Sequence, residues 1–342
     1  MHVLSFVFIE FAIQHDKDAV MPNVLRCLPG PTADRGSEHY GINNEVIKSR
    51  RKSRVQGLQL TVAPFRIAQL SDIHCGSPYF DPKLMYQAVD DIVSTQPDLV
   101  VVCGDLTAEG YVQEFKEARR FLEPLDSLEL VVVPGNHDAK NVGYLHFSDT
   151  FGNGEDHGKA DRIVTLEASF GNGNAVRRVK LVAIDSSKPD LAEGEVGRER
   201  YPWIISQLSD SADLKILALH HHLVPVPGTG RERNTVWDAG DVLQLLVSHN
   251  CHMVLSGHKH VPHVWLLQGV LLVNSGTVSS WRLRGYSRPC YNIIEVTDES
   301  IRITLRYPGG GERVMGELDR KEMRLTTNPE HAGLFSKSVW GS

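Results

Sequence analysis

The stretch LELVVVPGNHD, residues 128–138, runs from an apolar strand through a glycine to an amide, an imidazole and a carboxylate. A run of β-branched residues before Pro-Gly predicts a short buried strand that ends in a sharp turn. The side chains of Asn136, His137 and Asp138 then lie directly beyond that strand. Polar residues often follow strands, so the meaning of this pattern depends on the other strands of the chain.

The same pattern recurs along the chain. Four other apolar strands also end in metal-ligand residue types, namely FRIAQL before Asp72 and His74, DLVVVCG before Asp105, LKILAL before His220, His221 and His222, and HMVLSG before His258 and His260. In α/β sheets the carboxyl ends of strands share one edge, where ligands bind, so we expect these side chains to converge. A single Asp or His after a strand is more often a cap or a satisfied polar group. Five such strand ends in one chain favour a shared site.

The local spacing of these residues supports a cluster. Asp72 and His74 are separated by one residue, so we expect both to project to the same side of an extended segment, and His258 and His260 repeat this spacing. A glycine directly precedes three of the candidate ligands, and glycine permits the sharp turn and close approach that a ligand cluster needs.

The residue types fit divalent transition metals, because imidazole suits zinc, iron or manganese and carboxylate suits manganese and harder ions. The candidates are too many for one ion and predict two ions about 3.5–4 Å apart that share a bridging carboxylate. Two divalent ions exceed the two carboxylates of Asp72 and Asp105 in charge. One bridging hydroxide and one phosphodiester anion would neutralise that excess, and Asn136 as a neutral ligand would preserve the attraction for an anion.

The ordered blocks DIH, GD, GNHD, HHH and GHKH resemble the calcineurin-like metallophosphoesterases, and the resemblance extends from about Phe65 to Tyr307. The segments LVAIDSS, HHLVPVPG and NSGT are most similar to the class III cyclic-nucleotide phosphodiesterases and glycerophosphodiesterases. The resemblance implies an α/β fold, a layered sandwich of two mixed β-sheets flanked by helices. It also implies a dinuclear metal site at the carboxyl ends of the strands.

The resemblance further implies a role for each residue. Asp72, His74 and His260 would bind the first ion, Asp105 would bridge, and Asn136, one histidine of the triple and His258 would bind the second. His137 would not be a ligand but would lie over the phosphate and assist the leaving group, while Asp138 would fix the loop or orient a neighbour. Related sequences usually read His-His-Pro-Pro where this chain has HHHLVP. An ungapped match places His220 at the ligand position, with His221 as the alternative.

Composition and charge limit the classes of function. The chain has 342 residues, of which 41% are hydrophobic and 23% charged, as in an ordinary globular protein. Its formal net charge of −6 provides no overall attraction to nucleic acid or an anionic membrane. Five cysteines without paired spacing argue against a disulfide framework and suit a reducing compartment. The apolar stretch MHVLSFVFIEFAIQ lacks a basic leader and is too short to cross a bilayer, so we expect a cytoplasmic protein.

The pattern along the chain predicts three regions. Residues 1–62 are rich in turn formers and mixed charge, which indicates a disordered or loosely attached extension. Residues 63–308 alternate strands and helices and end in hairpins that turn at Gln268-Gly269 and near Asp298, and the resemblance implies that they form the metallophosphoesterase domain. Residues 309–342 form a C-terminal tail. A helix is expected after Asp81, which would cap it, with Pro82 in its first turn.

These observations predict a hydrolase that uses two divalent metal ions (Mn, Fe or Zn) to cleave phosphoester bonds, most simply a phosphodiesterase for small diesters such as 3′,5′-cyclic nucleotides. We expect a small phosphodiester as the binding partner, and neither nucleic acid nor a membrane. The alternatives are a phosphomonoesterase or nuclease of the same superfamily, or a non-catalytic binding scaffold. The segment that contains Arg231 and Arg233 is either a lid or a solvated loop, and Tyr286 either stacks on a base or packs.

Overall fold

The computed structural model describes residues 47–49, 63–152, 161–171, 175–229, 234–284 and 287–328. The described strands are β1 (Ile47–Ser49), β2 (Phe65–Leu70), β3 (Leu99–Cys103), β4 (Leu130–Val133), β5 (Arg162–Ser169), β6 (Val176–Ala183), β7 (Leu214–Ala218), β8 (Met253–Ser256), β9 (His263–Leu267), β10 (Val270–Asn274), β11 (Tyr291–Val296), β12 (Ser300–Arg306), β13 (Glu312–Asp319) and β14 (Arg324–Thr327). The described α-helices are α1 (Pro82–Thr95), α2 (Val112–Leu122), α3 (Gly143–Phe151), α4 (Tyr201–Leu208) and α5 (Ala239–Ser248). The predicted extension lies outside the described residues, apart from β1.

The described strands form two mixed sheets, which confirms the predicted α/β sandwich. The first sheet has the strand order β1-β5-β6-β7-β8-β10-β9, and the second has the order β14-β13-β12-β11-β2-β3-β4. Parallel pairing joins β6, β7, β8 and β10 in the first sheet and β2, β3 and β4 in the second. The strands that precede the candidate ligands therefore divide between the two sheets, three in the second and two in the first.

Side-chain alternation along the strands builds the core in layers. On β2, Phe65 and Ile67 face a cluster between the two sheets, whereas Ala68 and Leu70 face a second cluster that includes residues of α1 and α2. A third cluster lies between the first sheet and helices α4 and α5. Each fully buried large aliphatic or aromatic side chain contributes about 1.5–3 kcal/mol. The candidate ligands therefore extend from strands that are held on both faces.

Helices α1 and α2 bury one face each, as their sequence periodicity predicts. Helix α1 begins at the predicted position, where the side chain of Asp81 accepts a hydrogen bond of 3.0 Å from the backbone N–H of Lys83. This bond satisfies one of the free donors at the helix N-terminus. None of the helices among the described residues combines the length and the apolar content needed to cross a membrane.

The two predicted hairpins are confirmed. Strands β9 and β10 pair antiparallel around Gln268 and Gly269, whose φ angles are 47° and 89°, as a two-residue hairpin turn requires. Strands β11 and β12 pair antiparallel around residues 297–299. Strands β13 and β14 continue the second sheet beyond residue 308, where the sequence pattern placed the end of the domain. The sequence pattern did not identify α3 or β5.

Replacing Asp81 by alanine tests the cap of α1. We expect the free energy of unfolding to fall by about 1 kcal/mol, because a backbone N–H of the first helical turn loses its acceptor. Asp81 also accepts a hydrogen bond from the indole of Trp281, so the loss is not smaller than that of an isolated cap. Urea denaturation measures the change, and Asp90→Ala on the exposed part of the same helix is the control. Equal effects of the two substitutions would contradict the capping role.

Candidate metal centre

The carboxyl ends of five strands, β2, β3, β4, β7 and β8, meet at one site. All seven predicted ligand side chains are buried there, and each exposes 8% or less of its surface: Asp72, His74, Asp105, Asn136, His220, His258 and His260. The predicted convergence therefore occurs, although the residues come from two sheets and not from one. Polar groups buried at this density require partners, because an unsatisfied one costs about 1–3 kcal/mol.

Asp72, His74 and His260 form one group of potential ligands. The Nε2 atoms of His74 and His260 lie 2.9 Å apart. The Oδ1 atom of Asp72 lies 3.3 Å from Nε2 of His260 and 3.9 Å from Nε2 of His74. This Oδ1 atom is buried and has no hydrogen-bond partner among the described residues. Two imidazoles and one carboxylate thus face a common point.

Backbone carbonyls fix the protonation of these two rings. Nδ1 of His74 lies 3.3 Å from the carbonyl of Thr107, and Nδ1 of His260 lies 2.6 Å from the carbonyl of Arg282. A carbonyl only accepts, so Nδ1 carries a proton in both rings, and Nε2 is the ring atom directed at the common point. Burial opposes protonation of His260, but the charge of Asp72 raises its pKa, so a proton on Nε2 of His260 can bridge the 2.9 Å to Nε2 of His74, and a metal cation would take the place of that proton. This is the arrangement by which proteins orient metal-binding histidines.

Asn136, His220 and His258 form a second group. Oδ1 of Asn136 lies 3.2 Å from Nε2 of His220 and 3.0 Å from Nδ1 of His258, and those two ring nitrogens are 3.2 Å apart. Nδ1 of His220 donates to the carbonyl of Cys103 at 2.7 Å, so Nε2 is the ring atom directed at the group, where a metal cation would replace its proton. An amide oxygen and two imidazole nitrogens therefore converge beside the first group.

Asp105 lies between the two groups. Its Oδ2 atom is 3.7 Å from Nε2 of His74, and its Oδ1 atom is 3.4 Å from Nε2 of His220. The Oδ1 atom also accepts a hydrogen bond of 2.8 Å from the backbone N–H of His137. One carboxylate thus presents an oxygen to each group, which is the geometry required of a bridging ligand.

The three consecutive histidines have different surroundings. The ring of His221 is engaged at both nitrogens, with Ser186 Oγ at 2.9 Å from Nδ1 and the carbonyl of Ala192 at 3.2 Å from Nε2. The ring of His222 stacks on that of His258, with centroids 5.6 Å apart. Of the three, His220 is the residue whose ring nitrogen is directed at Asn136 and Asp105.

The electrostatics of the cluster favour a bound cation. Burial alone would raise the pKa of Asp105, but His220 and His137 hold it well below the usual value. Burial likewise opposes protonation of His220, yet the charge of Asp105, a hydrogen bond to it and the charge of Asp72 raise the pKa of His220 to about 9. Burial lowers the pKa of His74 to about 3, so that ring is neutral. A metal cation would meet the same attraction from the two carboxylates.

The backbone at the ligands differs from the prediction. An extended segment was expected at residues 72–74 and 258–260, but five candidate ligands have left-handed φ angles: Asp72 (55°), His74 (58°), Asp105 (54°), His258 (77°) and His260 (58°). Left-handed residues other than glycine cost of the order of 1–3 kcal/mol and persist where the surroundings hold them. Here the amides of Asp72 and His74 donate to the carbonyls of Gly104 and Asp105, at 3.0 and 2.9 Å. The side chains converge because the loops turn, and not because alternate residues of an extended segment face the same side.

The other two polar residues of the GNHD block have separate surroundings. Nδ1 of His137 donates to the carbonyl of Ala108 at 2.5 Å, and the residue is less buried than the candidate ligands. Burial and the nearby charge of Asp105 raise the pKa of Asp138 to about 6. The Asp138 carboxylate accepts four hydrogen bonds, from the backbone N–H groups of Leu106, Thr107 and Gly135 and from the hydroxyl of Thr107. Asp138 therefore fixes the loops after β3 and β4 against each other, as the sequence predicted.

Hydroxyl groups beneath the site were not predicted as functional. Thr277 Oγ1 donates to the carbonyl of Asp72 at 2.6 Å, and Ser279 Oγ donates to the carbonyl of Ile73 at 3.1 Å. The only sequence signal was the NSGT segment, which contributed to the resemblance but received no role. Arg231, Arg233 and Tyr286, considered as substrate contacts, lie outside the described residues.

Comparison with known proteins agrees with this geometry. The family model described as calcineurin-like phosphoesterase matches residues 65–262. A probable cyclic nucleotide phosphodiesterase of Psychrobacter sp. is 28% identical over 181 residues, which cover 52% of this chain and 51% of that protein. A glycerophosphodiester phosphodiesterase of Enterobacter lignolyticus is 28% identical over 216 residues, which cover 57% of this chain and 70% of that protein. The chain therefore spans 51% of the first relative's length.

A structural comparison gives the same fold. The crystal structure of a dimetal phosphatase from Danio rerio superposes with a TM-score of 0.55 at 13% identity, over 74% of this chain and 98% of that one. At this identity the likeness concerns the fold alone. The layered arrangement of the two sheets is therefore one that a solved phosphatase structure also has.

Substituting Gly104 by alanine tests the close approach of the loops. Gly104 has a φ of 80°, and an added Cβ would lie 2.7 Å from Nδ1 of His220 and 2.7 Å from the backbone nitrogen of Gly135. We expect the variant to lose about 1–2 kcal/mol from the left-handed backbone alone, with further loss from displacing His220. Thermal denaturation and metal content measure both effects. Gly240→Ala is the control, because nothing lies within 4 Å of its Cβ position in α5, so that variant keeps or gains stability.

Proposed function

Because this chain belongs to the calcineurin-like phosphoesterase family, we propose that it is a metal-dependent phosphodiesterase that hydrolyses small diesters such as 3′,5′-cyclic nucleotides. The observation that supports this most strongly is the pair of facing Nε2 atoms at 2.9 Å, directed by the Nδ1–carbonyl contacts of both rings, beside the buried Asp72 oxygen. The named relatives, which are cyclic nucleotide and glycerophosphodiester phosphodiesterases, favour a diester over a monoester.

The proposed metal ligands follow the two groups. We assign Asp72, His74 and His260 to the first ion, Asp105 as the bridge, and Asn136, His220 and His258 to the second. His220 is preferred to His221 because the ring of His221 is engaged by Ser186 and Ala192. The mixture of imidazole and carboxylate suits manganese, iron or zinc.

Each group at the proposed metal centre has a distinct role in the hydrolysis. Two divalent ions would polarise the phosphoryl oxygens and lower the pKa of a bound water toward about 7. Asp105 fixes the separation of the two ligand groups, and Asn136 contributes an oxygen without adding negative charge that would repel the substrate. His137 holds its Nδ1 proton against Ala108, so Nε2 is the ring atom that takes up a proton and passes it to the departing alkoxide.

The alternative functions have less support. A nuclease normally offers a basic surface stripe, whereas this chain carries a net charge of −6. A non-catalytic scaffold predicts missing ligands, and all seven predicted ligands converge here. For location we propose the cytoplasm, supported by Cys75, Cys103, Cys251 and Cys290, which are buried free thiols.

Metal depletion and substrate comparison test the function. We expect chelator-treated protein to be inactive and to regain turnover of bis(p-nitrophenyl) phosphate and cyclic AMP when two equivalents of manganese are restored. Activity confined to p-nitrophenyl phosphate would reject the diester and leave a monoesterase. Protein that binds both ions but turns over none of these esters would favour the scaffold.

Replacing His137 by alanine tests its proposed role in proton transfer. We expect kcat for a diester with a poor leaving group to fall by about 10²- to 10⁴-fold, because the departing alkoxide loses its proton donor. Metal content should stay that of the wild type, since His137 is not a proposed ligand. His146→Ala on α3 is the control for loss of a partly buried imidazole. A His137→Ala variant that loses its ions would instead make His137 a ligand.

A further inference from the structure

We infer that Gln69 is a positioning residue for the proposed metal centre. Its side chain joins β2, the strand before Asp72 and His74, to β8, the strand before His258 and His260. This inference rests on the proposed metal assignment. Gln69 lies on β2 three residues before Asp72, and its side chain is fully buried.

Gln69 is a polar residue in an apolar layer. Alternation along β2 places it on the same face as Phe65 and Ile67, which pack in the cluster between the two sheets. An amide left without partners in such a layer would cost about 1–3 kcal/mol. Its contacts therefore determine whether the structure tolerates it.

All polar atoms of the Gln69 side chain are engaged. Nε2 donates to the carbonyl of Ser256 at 3.0 Å and to the carbonyl of Val273 at 3.1 Å. Oε1 accepts a hydrogen bond of 2.9 Å from Nδ2 of Asn292. Ser256 ends β8 and Val273 lies in β10, so both donated bonds cross from the second sheet to the first. Asn292 lies on β11, so the accepted bond stays within the second sheet.

These crossing bonds hold the strands where the first ion's proposed ligands begin. Ser256 precedes His260 of the first group by four residues and His258 of the second group by two, and Gln69 precedes Asp72 by three. In the first group Asp72 follows a strand of one sheet and His260 follows a strand of the other. The distance between these two side chains therefore depends on how β2 and β8 are aligned. The backbone N–H of His258 also donates to Oδ2 of Asp72 at 3.0 Å. A shift between β2 and β8 would therefore separate the ligands directly.

The second group has an inter-sheet bond of its own. Nδ1 of His220, after β7 in the first sheet, donates to the carbonyl of Cys103 at the end of β3 in the second. This bond does not involve Gln69. Of the three proposed ligands of the second ion only His258 follows a strand that Gln69 holds, whereas all three proposed ligands of the first ion do. Loss of the Gln69 bonds should therefore weaken binding of the first ion more than binding of the second, an asymmetry that general destabilisation of the fold would not produce.

The test uses two variants that remove an amide from the same buried network. Gln69→Met keeps the length of the side chain and removes the crossing bonds, whereas Asn292→Leu keeps the volume and leaves those bonds in place. We expect Gln69→Met to bind one of its two manganese ions about 10- to 100-fold more weakly, the usual effect of losing a partner that orients ligands. Saturating manganese should restore its kcat. Asn292→Leu should bind both ions as the wild type does.

Calorimetric titration of manganese and metal analysis after dialysis provide the readouts, with urea midpoints to match the stabilities. A Gln69→Met variant that binds both ions with wild-type affinity overturns the inference. An equal loss of manganese affinity in Asn292→Leu overturns it as well. If Gln69→Met does not fold, Gln69→Glu, which keeps an acceptor for Asn292 but as a carboxylate cannot donate to the two carbonyls, is expected to show the same selective loss. A wild-type protein that binds no manganese overturns the proposed function and this inference together, whereas two ions in the wild type and an unaltered Gln69→Met overturn the inference alone.

Discussion

The crowding of buried imidazoles around two carboxylates is the constraint on which the site depends. His74 and His260 direct their Nε2 atoms at each other at 2.9 Å, next to a buried oxygen of Asp72. The Nδ1 atom of each ring donates to a backbone carbonyl, so rotation of either ring would break a hydrogen bond. Burial opposes protonation of His260, but the charge of Asp72 raises its pKa, and a cation between the rings would meet the same attraction. The surrounding loops are therefore organised around a positive charge, and their conformation is best understood from it.

The two-sheet architecture brings these groups together at a cost in backbone strain. Strands β2, β3 and β4 approach from one sheet and β7 and β8 from the other, and short turns follow each strand. Left-handed residues shorten those turns enough for side chains two residues apart to reach one point, as at Asp72 and His74. Hydrogen bonds between the loops, including those of Asp138 and Thr277, hold these conformations. Packing of both sheet faces supplies the rigidity that such strain requires.

The sequence allowed the strands and the ligands to be predicted for a simple reason: each buried strand is an apolar run that ends in polar residues. The same information does not reveal which strands share a sheet, because β2 and β7 are both short, mainly apolar runs and bury side chains in the same cluster. It does not distinguish His220 from His221, since their difference lies in contacts with Ser186 and Cys103 far along the chain. The left-handed backbone at the ligands is imposed by the surrounding loops, and no residue preference for it is visible in His74 or His260.

Metal binding and folding are linked in such a site. The attraction that raises the pKa of His220 to about 9 shows that Asp105 and Asp72 gain from a nearby positive charge. An ion that binds only the folded chain stabilises it by about 2.7 kcal/mol at a concentration of 100 times its dissociation constant. That gain offsets strain of about 1–3 kcal/mol at a left-handed ligand position. The arrangement that is unfavourable for the protein alone is thus favourable for the complex, and two divalent ions held by only two carboxylates would retain the positive charge that attracts the proposed phosphodiester.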